Sequence, residues 1–199
     1  MSIPFINREV EVNSLLEVSN RGYYPILYVY GPEGCGKTRL FRELANKLRR
    51  EEDYLVVYVD ALETSNFERA ILAPKEIVLE AARVVGEIVG IGGYIAKTIT
   101  EWLLKGLRKI KVKGKHVVVM VDDVVQAIGV ERVNVYTKKL LDLLEELYTL
   151  NIESATIIVS TSEGRSRREI LRHRWATMKL LWNLDSKATL RLLGCLLYT

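Results

Sequence analysis

Lys37 and Thr38 stand directly behind three glycines, Gly31, Gly34 and Gly36, in the stretch GPEGCGKT. The lysine is a compact cation and the threonine offers a hydroxyl, the pair needed to hold a phosphate and a divalent cation riding on it. Glycine costs backbone entropy and adds nothing to a core, so the cluster predicts a loop whose N–H groups curl around an anion. Its spacing fits G-x-x-x-x-G-K-[ST]. Gly31, Pro32, Glu33, Gly34, Cys35, Gly36, Lys37, Thr38 and Arg39 are thus the expected phosphate-binding residues. In this reading Lys37 reaches the β- and γ-phosphates of ATP, or the β-phosphate of ADP, and Thr38 ligates Mg²⁺, at the positive end of a helix.

A second constellation is VVVMVDD, residues 117–123. An unbroken apolar run predicts a parallel strand buried on both faces, and whatever follows it is presented at the carboxyl edge of the sheet, where nucleotides bind. Asp122 is the expected metal residue. Asp123 is placed to polarise an attacking water, with the reservation that aspartate is shorter than the glutamate many such sites carry.

Two basic runs follow. RSRREILRHR, residues 165–174, holds five arginines in ten positions. Arg172 and Arg174 are candidates for a finger that neutralises transition-state charge, in cis or on a neighbouring subunit; a solvated basic face is the alternative. KGLRKIKVKGKH, residues 105–116, lacks interleaved aromatics, so nucleic-acid contact and a solvated linker both stay open. His116 and His173 have no partner at metal-ligand spacing, and Cys35 and Cys195 form no disulfide framework.

These residues need elements to position them. Strands are expected over 26–30, 54–59, 117–121, 155–160 and 178–182, with helices over 38–50 and 133–150, a βα alternation implying a mainly parallel sheet covered on both faces. The stretch 74–110 reads as two helices broken around Gly90, Gly92 and Gly93. Residues 88–107 are apolar, but Lys97, Glu101 and Lys105 recur along them, which favours an amphipathic helix over a membrane span. The 199 residues carry a formal charge of +4 and are 49% hydrophobic, ordinary for one globular domain. No secretory signal precedes Pro4, Asn7 and Arg8, so the cytoplasm is the expected compartment.

With these motifs in place the chain resembles the archaeal P-loop ATPase family, related to the AAA+ and STAND switches. FINREVEVNSLL is similar to the family's opening box, GPEGCGKT to its Walker A loop and VVVMVDDVVQAIG to its Walker B strand; STSEGRSRREILRHRW and LLWNLDSKATLRLL resemble later segments. The resemblance implies an α/β three-layer sandwich, its five-stranded parallel sheet ordered 5-1-4-3-2. It also implies a core over 1–185 and, over 186–199, the start of a helical lid. Ser160, Thr161 and Ser162 fall at the sensor position, with a polar strand end as the alternative. Phe5, Ile6 and Arg8 fall where an adenine pocket would lie, or simply pack the N-terminal segment.

The expected function is ATP hydrolysis with Mg²⁺ driving a conformational switch. Two rivals stay open: a regulatory interaction module that turns over little, and a DNA-associated motor assembling into a ring. A homo-oligomer or a protein partner is compatible with each; nucleic acid stays undecided.

Overall fold

A computed structural model describes residues 5–63, 66–85, 91–172 and 174–197. Five parallel strands form the sheet: β1 (Tyr23–Tyr30), β2 (Tyr54–Asp60), β4 (His116–Asp122), β5 (Ser154–Thr161) and β6 (Ala176–Leu180). A sixth, β3 (Ile71–Leu72), pairs antiparallel with the end of β2, so the sheet runs β3-β2-β4-β5-β1-β6. The five parallel strands keep the expected order; the expectation of five strands in all is corrected by this two-residue edge, too short to leave an alternating pattern.

Parity along each strand assigns the two faces. Leu27, Val29, Val118 and Met120 point toward α1 (Glu9–Arg21) and α2 (Lys37–Leu48), meeting Val12, Leu15, Phe41 and Leu44. Ile26, Tyr28, Val117, Val119 and Val121 point the other way, into a larger core with α4 (Lys75–Val85), α6 (Ile99–Leu107) and α8 (Val133–Tyr148). Burial on both faces is why 117–121 reads as an unbroken apolar run.

The remaining helices are α3 (Phe67–Ala70), α5 (Ile91–Lys97), α7 (Val124–Ile128), α9 (Ser166–Leu171) and α10 (Ser186–Leu197). Three helices, α4, α5 and α6, therefore occupy the stretch read as two. Gly92 and Gly93 lie inside α5 rather than at a break, and Gly90 falls outside the described residues. Gly93 faces Ala127 and the Ala61 carbonyl, and a Cβ there would make only ordinary contacts at 3.6 and 3.7 Å, so this position does not demand glycine. Among the described residues no helix is long and apolar enough to cross a membrane. His173 and the Cys195 side chain also lie outside the described residues.

Candidate functional site: a phosphate loop and paired carboxylates

The glycine-rich loop leaves the carboxyl end of β1 and enters α2. Gly34 and Gly36 have φ of +79° and +95°, a region that residues with a Cβ rarely adopt, and Gly36 directly precedes the helix. Gly31 is required for a different reason: a Cβ there would lie 2.2 Å from the Leu181 carbonyl oxygen. The loop is thus pinned against the segment after β6, and the Gly31 N–H donates to the Thr161 carbonyl at 3.2 Å.

Lys37 is almost fully buried. Its ammonium donates to the carbonyls of Gly31 (3.2 Å) and Pro32 (3.3 Å) and stands 3.9 Å from Asp123 Oδ1. A cavity of about 640 Å³ opens over the loop, lined by Lys37, Thr38 and Asp123 together with Arg42, Glu43 and Asn46. The last three were missed from sequence. They follow Thr38, Arg39 and Arg42 at four-residue spacing, so the helical period carries them to the same face.

The two carboxylates at the end of β4 have different surroundings. Asp122 is enclosed: Tyr58 donates to its Oδ2 at 3.0 Å and Ser160 to its Oδ1. Asp123 directly precedes α7 with φ of 46°, in the left-handed region that Asp and Asn tolerate better than most residues, and it lines the cavity. Its backbone N–H donates to the Ser160 hydroxyl at 2.8 Å, and Ser162 donates to its Oδ1 at 3.3 Å. Burial and the neighbouring Asp122 push the Asp123 carboxyl above the usual range, against the pull of Lys37. Asp60, in register with Asp122 on β2, is likewise raised, first by burial, and Arg42 lies 3.6 Å from it.

Ser160 is fully buried and its one proton goes to Asp122, so it fixes both carboxylates from behind; Ser162 is the serine that reaches Asp123. Thr161 is also buried, its hydroxyl accepting from the Glu163 N–H at 3.1 Å.

Hydroxyl and carboxylate oxygens make up the available donor set. Among the described residues no group of three or more His, Cys, Asp or Glu would hold a metal alone. Hard oxygen ligands in small number are the type that suits Mg²⁺ shared with phosphate oxygens; of the two expected metal residues Thr38 lines the cavity, whereas Asp122 lies behind it with both carboxylate oxygens accepting hydrogen bonds.

A second cavity, about 480 Å³, adjoins the first through Gly34, Gly36 and Arg39 and is lined by Phe5, Ile6, Arg8, Cys35, Asn183 and Leu192. Arg8 closes one wall, donating to the Cys35 carbonyl at 3.0 Å, to the Trp182 carbonyl and to Glu11 at 2.7 Å. Burial pushes the Cys35 thiol up, so it is a wall rather than a nucleophile.

The arginines behave otherwise. Arg172 is exposed and pairs with Glu169 at 3.2 Å, and neither it nor Arg174 lines these cavities. Ala176 at the start of β6 pairs with Ile26, about 13 Å toward the amino edge of the sheet from Tyr30 and the loop, and Arg172 and Arg174 precede it in the chain. The tertiary structure does not bring them to their own chain's phosphate cavity.

Residues 5–193 match the profile of a family described as an ATPase domain predominantly from Archaea. The chain belongs to that family. It is 27% identical over 153 residues to an ATP-binding protein of Methanocaldococcus jannaschii, covering 65% of this chain and 42% of the relative. It is also 27% identical over 156 residues to an ORC1-type DNA replication protein of Haloarcula marismortui, covering 76% and 35%. The chain thus spans less than half the length of these relatives. AMPPCP-bound DnaA from Aquifex aeolicus superposes with a TM-score of 0.51 over 98% of this ATPase domain and 52% of that chain, at 18% identity, a likeness of fold.

Proposed function

We propose that this domain binds ATP with Mg²⁺ and hydrolyses it, and that hydrolysis resets a conformational switch. The observation that carries the reading is the convergence of Lys37, Thr38 and Asp123 on one cavity at the start of α2. Phosphoryl transfer asks mainly for positioning and charge. The loop amides and the α2 amino end hold the phosphates, Lys37 neutralises them, and Asp123 orients and deprotonates the attacking water. A carboxylate with a raised pKa is the better base, and Ser162 fixes the Oδ1 that Lys37 also faces. Mg²⁺, held by Thr38 with Asp122 in its shell, would supply charge neutralisation along the phosphate chain. Phe5, Ile6 and Arg8 would receive the base in the adjoining, more apolar cavity. Arg172 and Arg174, exposed and outside their own chain's cavity, would serve a neighbouring copy's triphosphate if they act as a finger.

A second reading, a nucleotide-gated interaction module with little turnover, is favoured by the shortness of Asp123 and the distance of the arginines. One experiment separates the two: nucleotide binding by calorimetry beside phosphate release with Mg²⁺, in wild type, Lys37→Ala and Asp123→Asn. Hydrolysis predicts at least about tenfold weaker binding in Lys37→Ala, and in Asp123→Asn retained binding with turnover reduced about 100-fold. Binding without turnover in wild type selects the module, and a folded wild type that binds no nucleotide defeats both readings.

A further inference from the structure

A cavity of about 330 Å³ lies at the opposite edge of the sheet, lined by Arg49, Tyr54, Pro74, Ile110, Lys111 and Lys115 among others. It sits at the amino ends of β2 and β4. Each of these strands is seven residues long, so about 20 Å separates it from the phosphate loop. It draws its cations from two places distant in sequence: Arg49 follows α2, whereas Lys111 and Lys115 belong to the basic run before β4. None of the three is in an ion pair with a carboxylate among the described residues, and the Lys115 ammonium donates instead to the Glu52 carbonyl at 2.6 Å. Arg50 and Lys113, both exposed, continue the positive charge outside the cavity.

The aromatic absent from the run itself is supplied by the fold. Tyr54 lines the cavity, and its ring plane is fixed by stacking on His116, centroids 4.9 Å apart at 30°. His116 Nδ1 is in turn hydrogen-bonded with Ser154 Oγ at 2.7 Å. Cations without a carboxylate partner among the described residues, a held aromatic ring and apolar lining from Pro74 and Ile110 are the parts that bind a phosphodiester strand and stack one of its bases. Positive charge extending beyond the cavity suits a polyanion better than a single ion. The acidic turn Glu51, Glu52 and Asp53 borders Tyr54, which confines the strand's path to the Lys111–Lys115 side.

We propose that this cavity is a second binding site, remote from the nucleotide, that takes single-stranded nucleic acid through its phosphates with a base against Tyr54. The test is fluorescence anisotropy of a labelled oligothymidylate of about 20 nucleotides, with wild type, Lys111→Glu, the Lys111→Glu/Lys115→Glu pair, Tyr54→Leu and Lys37→Ala. Folding of each variant is checked by its thermal transition; the exposed Lys111→Glu change keeps the test open where Tyr54→Leu fails to fold. Expected are an affinity loss of about tenfold or more in the double variant and a salt slope flatter by about 0.7 per phosphate contact removed. A loss in Tyr54→Leu with an unchanged salt slope and full binding by Lys37→Ala complete the expectation. The proposal is overturned if wild type does not bind, if Lys37→Ala alone abolishes binding, or if the charge reversals leave affinity unchanged. It is overturned equally if polyglutamate competes as well as the oligonucleotide, which would identify an acidic-protein surface instead.

Discussion

Asp123 shows how one residue can serve a site at the expense of the fold. Its carboxyl is raised chiefly by burial, then by Asp122, with Lys37 only partly offsetting them. A group raised in the folded state stabilises the protein while protonated, and that contribution disappears as pH rises through its folded pKa. At neutral pH the ionised form therefore burdens the fold. Asp123→Asn keeps a residue that tolerates the left-handed backbone, and it is expected to raise Tm slightly at pH 7. The gain should vanish as pH falls through the ordinary carboxylate range, which thermal melts across pH 4–7 would check. Gly31→Ala acts oppositely, because its Cβ would meet backbone at Leu181 rather than a movable side chain. A loss of about 1–3 kcal/mol in denaturant unfolding, with nucleotide binding lost, is expected.

At the scale of elements, the α4–α6 contact depends on another close approach. A Cβ at Gly106 would lie 2.7 Å from Ile77 Cα, so α6 rests directly on the backbone of α4. Trp102, fully buried on the same helix, donates from its indole nitrogen to the Ile95 carbonyl at 3.0 Å and ties α6 to α5. Gly106→Ala should lower stability by about 1–3 kcal/mol in urea titration while leaving nucleotide affinity unchanged, since the contact is remote from the phosphate loop. Gly92 and Gly93 read from sequence as part of a break yet lie inside α5, because local propensity does not say whether a helix tolerates its glycines in a packed setting. The parallel strands were legible to within a few residues, because burial on both faces writes itself as continuous apolar sequence.

For the whole molecule, Arg8 joins three separate parts of the chain: α1 through Glu11, the phosphate loop through the Cys35 carbonyl and the segment after β6 through the Trp182 carbonyl. It is 8% exposed, so truncation strands two acceptors in a nearly closed site. Arg8→Ala is expected to cost about 1–3 kcal/mol and to weaken nucleotide binding severalfold, measured by chemical unfolding and calorimetry on one preparation.

The sequence by itself determined the glycine-rich loop and the acidic strand end, since glycine spacing, a buried apolar run and a terminal aspartate are local signals; the order of the parallel strands came only with the family resemblance, because no local pattern says which strands pair. Tertiary structure decided how those residues divide the work. Tyr58 and Ser160 enclose Asp122 and leave Asp123 lining the cavity, an arrangement set by register between β2, β4 and β5 that no single segment encodes. Folding also sent Arg172 toward the far end of β6, and it placed Tyr54 beside Lys111 and Lys115. Contacts between segments far apart in sequence are fixed by packing, and packing follows from side-chain volumes meeting across layers rather than from any local pattern.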